Sequence, residues 1–384
     1  ARFDPATRSS QDLGTGAFLD AAATDIRTAT ESWSLYFTNT LDVTDRLALA
    51  LSGRYNNTAV DLADRSGVRP ELNGEHDFQR FNPAVGVTFD VLKDLNLYAG
   101  YSESSRAPTP IELSCNEYVI GLAIANAVAE GEDPGDVEFE CRLPNAFLAD
   151  PPLDQVVARS WEAGMRGDLG KSVRYRAGFF RTLSSDDIIF QSTGRSTGLF
   201  ANMDETRRMG FEGSLSGAFG NLEWFANYSY IEATFQDDLA ILSPNHDFAD
   251  EEDGTIHVQS GDRIPGIPEH QLKLGGDYYF NDLASLGFDM VYNSSQYMRG
   301  DESNQLDTVD GYAVVNLRGS WSVTEHIDLM FRISNLFDAD YETFGLLGEH
   351  PSGVKLSEFQ DFSDPRFFGP GAPRAGFVGI RVSL

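Results

Sequence analysis

Residues 312–337 read YAVVNLRGSWSVTEHIDLMFRISNLF. In the first half Ala313, Val315, Leu317, Trp321 and Val323 alternate with Asn316, Arg318, Ser320 and Ser322. In the second half Ile327, Leu329, Phe331 and Ile333 alternate with Asp328, Met330, Arg332 and Ser334. A period of two places one set on each face of an extended strand. Only Thr324 and Glu325 separate the two runs, which leaves room for a tight reversal and little else. The stretch therefore reads as two antiparallel strands with one apolar and one polar face.

The same pattern extends outward along the chain. Leu47, Leu49 and Leu51 alternate with Arg46, Ala48, Ala50, Ser52 and Arg54 within Asp45–Tyr55. Further runs fall at 32–40, 78–90, 94–104, 158–169, 172–190, 199–219, 221–235, 268–280, 284–299 and 375–384. The total is about thirteen strands, several longer than the roughly five or six residues usual in globular sheets. The connections sort into two kinds. Short ones (41–44, 91–93, 170–171, 220, 281–283 and 324–325) alternate with mostly long ones (59–77, 105–157, 236–267, 300–311 and 337–374, with a shorter one near 191–198). An up-and-down membrane barrel sorts its loops in this way, with short turns on the periplasmic side and long loops outside.

The polar face fits that reading. Arg54, Glu162, Arg166, Lys273, Asp277, Asp289 and Arg318 fall on the polar side of their strands. A small soluble barrel cannot bury so many charges, and nothing else in the sequence would cover so much apolar strand face. A wide, wet or plugged lumen accepts the charges and lipid covers the apolar face. The expected fold is all-β, a transmembrane antiparallel up-and-down barrel. An odd strand count does not close a bacterial single-chain barrel. We therefore expect a partial barrel, with residues 1–31 an outer loop or partial strand leading in and residues 32–384 the barrel. No basic start or apolar stretch follows Ala1, so a leader and further residues are expected before it.

Composition excludes other classes. The 384 residues carry a net charge of −30, which repels nucleic-acid phosphates. No run of about 18 apolar residues forms a transmembrane helix. There is no G-x-S-x-G, H-E-x-x-H or P-loop, and the six histidines (His76, His246, His257, His270, His326, His350) are scattered. No catalytic site or enzyme activity is expected.

Five segments add a resemblance. They are SRAPTPIEL at 105–113, DRIPGIPEHQLKLGGD at 262–277, MRGDESN at 298–304, FRISNLFDADYETFG at 331–345 and GPGAPRAGFVGIRVSL at 369–384, and TRRMGFEGSLSG at 206–217 joins them. In this order they resemble the C-terminal barrel of a TonB-dependent receptor of the siderophore or iron-chelate type, over about residues 32–384. Leu384 departs from the aromatic residue that usually ends the family. The resemblance implies a barrel of about 22 strands, of which this chain supplies the C-terminal part, with an N-terminal plug and TonB box not found here. It implies import of a ferric siderophore or similar metal chelate across the outer membrane of a Gram-negative bacterium, driven by the TonB complex through the plug. Outer-membrane lipid and lipopolysaccharide are the expected surroundings. A passive channel, a surface binding protein, and cobalamin or carbohydrate as substrate are the alternatives.

Candidate site residues lie in the loops. Cys115 and Cys141 share one outer loop with 25 residues between them. In an oxidising compartment they are expected to form a disulfide, worth about 3 kcal/mol to the loop; two sulfurs without nearby histidines make a poor zinc set. Arg106 opens the same loop and would bind an anionic chelate or pair with Glu103 or Glu112. Tyr118 and Phe147 are candidate aromatic contacts. DFADEED at 247–253 is a solvated acidic loop or a site for a divalent cation, and Asp361 and Asp364 carry the same two readings. Asn335 and Asp338 are expected to bond local backbone in a turn. Pro265 and Pro268 should hold their segment out of the ladder.

Overall fold

The computed structural model describes residues 2–4, 9–11, 18–19, 26–65, 73–113, 128, 153–194, 197–251, 254–348 and 364–383. Three short strands, β1 (Arg2–Asp4), β2 (Ser9–Gln11) and β3 (Phe18–Leu19), pair only with one another. They are followed by β4 (Ile26–Thr44), β5 (Leu47–Asp64), β6 (Gly74–Leu92), β7 (Leu95–Arg106), the short helix α1 (Pro110–Leu113), β8 (Val156–Leu169), β9 (Val173–Gly194), β10 (Thr197–Phe219) and β11 (Leu222–Phe235). The hairpin β12 (Leu239–Leu242) and β13 (Thr255–Val258) precedes β14 (His270–Asn281), β15 (Ala284–Asn293), β16 (Tyr312–Thr324) and β17 (Ile327–Ser334). A second hairpin, β18 (Glu342–Leu347) and β19 (Arg366–Pro370), precedes β20 (Ala375–Val382).

Thirteen of these strands form one antiparallel sheet in the order β20-β17-β16-β15-β14-β11-β10-β9-β8-β7-β6-β5-β4. Each pairs with its sequence neighbours once the two loop hairpins are skipped. Among the described residues β4 and β20 each have one partner, so the sheet is a partial barrel with two free edges. The first strand of this sheet begins at Ile26, six residues before the alternation becomes regular at Ser32. Thr28 and Thr30 there have β-branched side chains that suit a strand but show no apolar contrast. The two hairpins within the outer loops are also absent from the sequence reading, because four to six residues carry too little periodicity.

Turn chemistry fixes the short ends. Gly170 (φ 67°) and Gly220 (φ 59°) take left-handed backbone that a Cβ would penalise. The Thr44 hydroxyl accepts the Arg46 and Leu47 N–H groups, and the Asn281 carboxamide oxygen accepts those of Leu283 and Ala284.

Register then decides the faces. Arg318 stands opposite Gly287, Gly287 opposite Asp277, and Asp277 opposite Glu223. Farther round the wall Arg166 stands opposite Asn96 and Arg176, and Arg54 opposite Asn82. These side chains share the polar face. The other face carries Phe331 opposite Val378 and Gly319, and Leu329 opposite Ile380 and Trp321. Its side chains stay uncovered: Trp33, Leu35, Phe179, Trp321, Val378 and Ile380 are all exposed. Leu47, Leu49 and Leu51 belong to this face and to no packed core. An exposed apolar band this large needs lipid or a partner surface.

The packed clusters are confined to the long-loop end. One joins Val60 and Leu62 to Leu113 and Leu153; a second joins Met203 and Phe235 to Ile241, Ile256 and Val258; a third joins Met298, Val309 and Leu347. β9 and β10 run 22 and 23 residues, about twice what a tilted membrane crossing needs, and their upper ends reach this packed layer.

Candidate functional site

The polar face neutralises itself in its later half. The Arg318 guanidinium donates to both Asp277 carboxylate oxygens (3.0 and 2.6 Å) and to Asp289 Oδ1 (2.8 Å), while Asn316 donates to Asp289 Oδ2. Gly287 lies beneath this network, and a Cβ there would stand 2.0 Å from the Asp277 carboxylate. At the start of the sheet the wall differs.

A recess of about 760 Å³ opens on the polar face between β4 and β7, lined by Ser34, Ser52, Arg54, Asn56, Asn82 and Ser104 among others. Its cause is a proline. Backbone pairing of β6 with β7 runs from Leu92 to Ala84, opposite Ser102, and stops there. The Asp90 N–H donates to Arg46 O at the foot of β5, so by strand alternation the nitrogens of odd-numbered residues in β6 face β7. Pro83 is the next of these and has no N–H to give. Above it the two strands are held by side chains: Asn82 Nδ2 donates to Ser105 Oγ (3.1 Å) and Arg80 pairs with Glu103 (2.7 Å), while Gln155, just before β8, donates its Nε2 to Gln79 O of β6 (3.1 Å).

The recess carries one cation, Arg54, and one acid, Glu103, whose charge Arg80 meets. Arg54 Nε donates to Asn56 Oδ1 (2.7 Å) and Nη2 to Ser34 Oγ (2.9 Å), which fix the guanidinium on neutral partners. Asn82 is buried beneath the recess, and its Nδ2 holds the Ser105 hydroxyl. The chemistry is a fixed positive group beside serine hydroxyls and the Asn56 carboxamide, suited to an anionic group that also carries OH or NH.

Arg106, at the mouth, pairs with Glu112 (2.6 Å), the second of its two expected acidic partners. Burial works against the Glu112 charge, but Arg106 and the Thr109 N–H and hydroxyl outweigh it and hold the carboxyl below its ordinary range. Tyr118, Phe147, Cys115, Cys141 and Asp361 lie outside the described residues. Just before the acidic stretch, of which Glu252 and Asp253 lie outside the described residues, His246 binds Asp301 and accepts the Phe248 N–H, and among the described residues no three acidic, histidine or cysteine groups are placed to hold a metal. Arg366 and its N–H hold Asp364 down at about 2. Asn335 and Asp338 both have positive φ; Asn335 bonds the nearby backbone of Ala339, as expected, and that of Ala372, whereas the Asp338 carboxylate accepts from Arg374, far along the chain, rather than from local backbone. Pro265 and Pro268 lie between the Thr234–Arg263 bridge and the start of β14, outside the ladder.

Sequence reasoning placed Arg54 on the polar face but missed Ser34, Asn56 and Asn82. The available signal was Pro83 in the middle of an otherwise regular strand.

An antiparallel wall with a charged inner face, an apolar outer face and long structured loops on one side is the wall of an outer-membrane β-barrel. No helix of the described residues is long and apolar enough to cross a membrane. Residues 2–336 match the family described as TonB dependent receptor-like, beta-barrel, and the chain belongs to that family. Its members are receptors and transporters of the Gram-negative outer membrane, not enzymes. The ferric-pyoverdine BN7/BN8 receptor of Pseudomonas putida is 24% identical over 339 residues, covering 85% of this chain and 34% of that protein. The heme/hemopexin utilization protein C of Haemophilus influenzae is 22% identical, covering 83% and 41%. The chain thus spans well under half the length of these relatives. The crystal structure of the siderophore receptor PiuA from Acinetobacter baumannii shares the fold with a TM-score of 0.65 at 17% identity, covering 93% of this chain and 44% of that one.

Proposed function

We propose that the complete protein is an outer-membrane receptor that imports a ferric siderophore or a similar metal chelate in a TonB-coupled step. The observation that carries this reading is the recess around Arg54 on the lumen wall. A fixed guanidinium beside neutral hydroxyl and carboxamide groups matches an anionic chelate with hydroxyl or amide groups. Support also comes from the relatives, which include a ferric-pyoverdine receptor and a heme utilization protein. The TonB complex is the partner in this reading, acting on a plug that fills the lumen. An unplugged barrel of about 22 strands would leak, and a plugged one needs work to pass cargo. Outer-membrane lipid and lipopolysaccharide surround the apolar face. Arg106 at the mouth and Tyr118 and Phe147 in its loop contact the chelate, and a Cys115–Cys141 disulfide closes that loop.

The test is uptake of an iron-labelled chelate by cells carrying the full-length protein. Binding is expected without energy, and accumulation only with TonB and a proton-motive force. Equal accumulation after an uncoupler would replace this reading with a passive channel. Arg54→Ala should weaken binding about tenfold, the loss of one charge-assisted pair. Mass spectrometry of unreduced protein should find Cys115 and Cys141 joined; two free thiols would remove the disulfide from the reading.

A further inference from the structure

The recess around Arg54 reaches into the thickness of the wall. Above Pro83, β6 keeps its backbone pairing with β5 as far as Gly74, and β7 keeps its own with β8 as far as Arg106, but the two strands no longer pair with each other. A seam therefore separates residues 74–83 of β6 from residues 103–106 of β7. Side chains from opposite faces meet in it. Arg80 and Asn82 stand opposite Asn56 and Arg54 on the lumen face. Glu103 and Ser105 alternate with that face and stand opposite Arg159 and Val157 on the outer one. In an intact sheet, side chains of opposite faces point apart. Here Arg80 reaches Glu103 at 2.7 Å and Asn82 reaches Ser105 at 3.1 Å, so both links run through the gap between the strands. The recess is accordingly lined from both faces, by Ser34 and Arg54 and by Glu103 and Ser105.

The two ends of this passage differ in chemistry. Inside are the Arg54 guanidinium, the Ser34 hydroxyl and the Asn56 carboxamide. Outside, aromatic side chains stand on both banks, Tyr55 and Phe81 on β5 and β6, Tyr101 and Trp161 on β7 and β8. Phe81 and Trp161 are exposed, and Tyr101 packs on Trp161 with 5.3 Å between centroids. Such an aromatic layer marks the level where hydrocarbon gives way to headgroups. Glu103 at the outer exit is bonded to Arg80 and the Tyr101 hydroxyl, and Arg159 opposite it donates to the Ser185 hydroxyl. The links across the seam are side chains that turn about single bonds, so the seam parts without unzipping either strand from its other neighbour.

We propose that this seam seats the hydrocarbon tail of an amphiphilic metal chelate whose anionic, hydroxyl-bearing head lies at Arg54. An unbroken wall would leave such a tail against the polar lumen face, where its contact with water is unfavourable. The seam instead leads it past Pro83 to the aromatic layer and the apolar side of the wall. The inference rests on the recess reading above and adds the class of chelate that the recess takes.

The experiment uses the full-length protein in phosphatidylcholine vesicles. The probe is the iron(III) complex of citrate monododecylamide with a diazirine at the end of its chain. The competitor is the iron(III) complex of citrate monopropylamide, the same head without the tail. After irradiation, mass spectrometry should find label on Phe81 or Tyr101, and excess competitor should lower that label at least fivefold. Label at Phe331, far round the wall, reports probe dissolved in the bilayer and should not respond to the competitor. Pro83→Ala supplies the missing N–H and should lower the competable label at least fivefold; undiminished label overturns the seam. Should that variant fail to fold, the wild-type labelling decides alone. Competable label confined to Val60, Leu113 or Leu153 in the packed layer overturns the passage and leaves the recess reading standing. A propylamide complex that does not bind wild type sinks the recess reading and this inference with it.

Discussion

His246 Nε2 donates to Asp301 Oδ1 at 3.0 Å, and both side chains are wholly withdrawn from solvent. The Phe248 N–H donates to His246 Nδ1, so that nitrogen keeps its lone pair and the ring is neutral with its proton on Nε2. Asp301 also accepts the N–H groups of Gln305 and Leu306. Two outer loops distant in sequence, one carrying β12 and β13 and the other joining β15 to β16, are locked at this point. The Ser243 hydroxyl donates to Gly300 O alongside, and Arg299 bridges to Leu346 in β18. Three loops thus behave as one body above the wall.

Removing the histidine should loosen that body. His246→Ala leaves a buried carboxylate with only backbone donors, at a cost of about 3 kcal/mol. Proteolysis of the folded protein in outer-membrane vesicles should then cut within 236–269 and 294–311 at least tenfold faster. Unchanged cleavage would mean that the hydrophobic clusters alone hold the loops.

Glu302 makes the same body sensitive to pH. Burial pushes its carboxyl above the ordinary value of 4.5, against the help of the Gly300 N–H. A raised folded value favours the protonated form, so this contribution is full below about pH 4.5 and is lost as pH rises through the folded value. Glu302→Gln keeps an acceptor for Gly300 and removes the charge. Its loops should resist protease better than wild type at pH 8 and equally at pH 4; parallel curves would show that Glu302 does not set the dependence.

Arg318 should prove to be a wall residue. Arg318→Met leaves Asp277 and Asp289 facing each other and should cost about 1–2 kcal/mol in this water-accessible setting. The temperature at which the folded band converts on a gel would report it. Asp277→Asn added to Arg318→Met should recover part of the loss, and additive effects would argue against the network.

The two faces should respond oppositely to the same charge. Arginine in place of Phe331, on the apolar face, should cost about 2–4 kcal/mol if it lies near the midplane. Arginine in place of the adjacent Met330, on the polar face, should cost little. Refolding into vesicles under a urea titration measures both, and equal costs would contradict the assignment of lipid to the apolar side.

Sequence by itself determined the sheet and its two faces. Alternation such as Ile327–Leu329–Phe331 is local information, because side-chain direction in a strand has a fixed period of two, and loop lengths sort the two ends without any knowledge of contacts. The Asn335–Ala339 turn and the exclusion of Pro265 and Pro268 from the ladder were legible for the same reason: each depends on backbone chemistry within a few residues. What only the tertiary structure decided are relations between residues far apart in the chain. The Asn82–Ser105 link and the Arg54 recess depend on register between strands, and the burial of His246 against Asp301 depends on how two distant loops pack. Register is set by summed pairing and packing across the whole wall, and no single segment encodes it. Pro83 marks the boundary: the missing N–H is visible in the sequence, but the strand it fails to reach is known only from the fold.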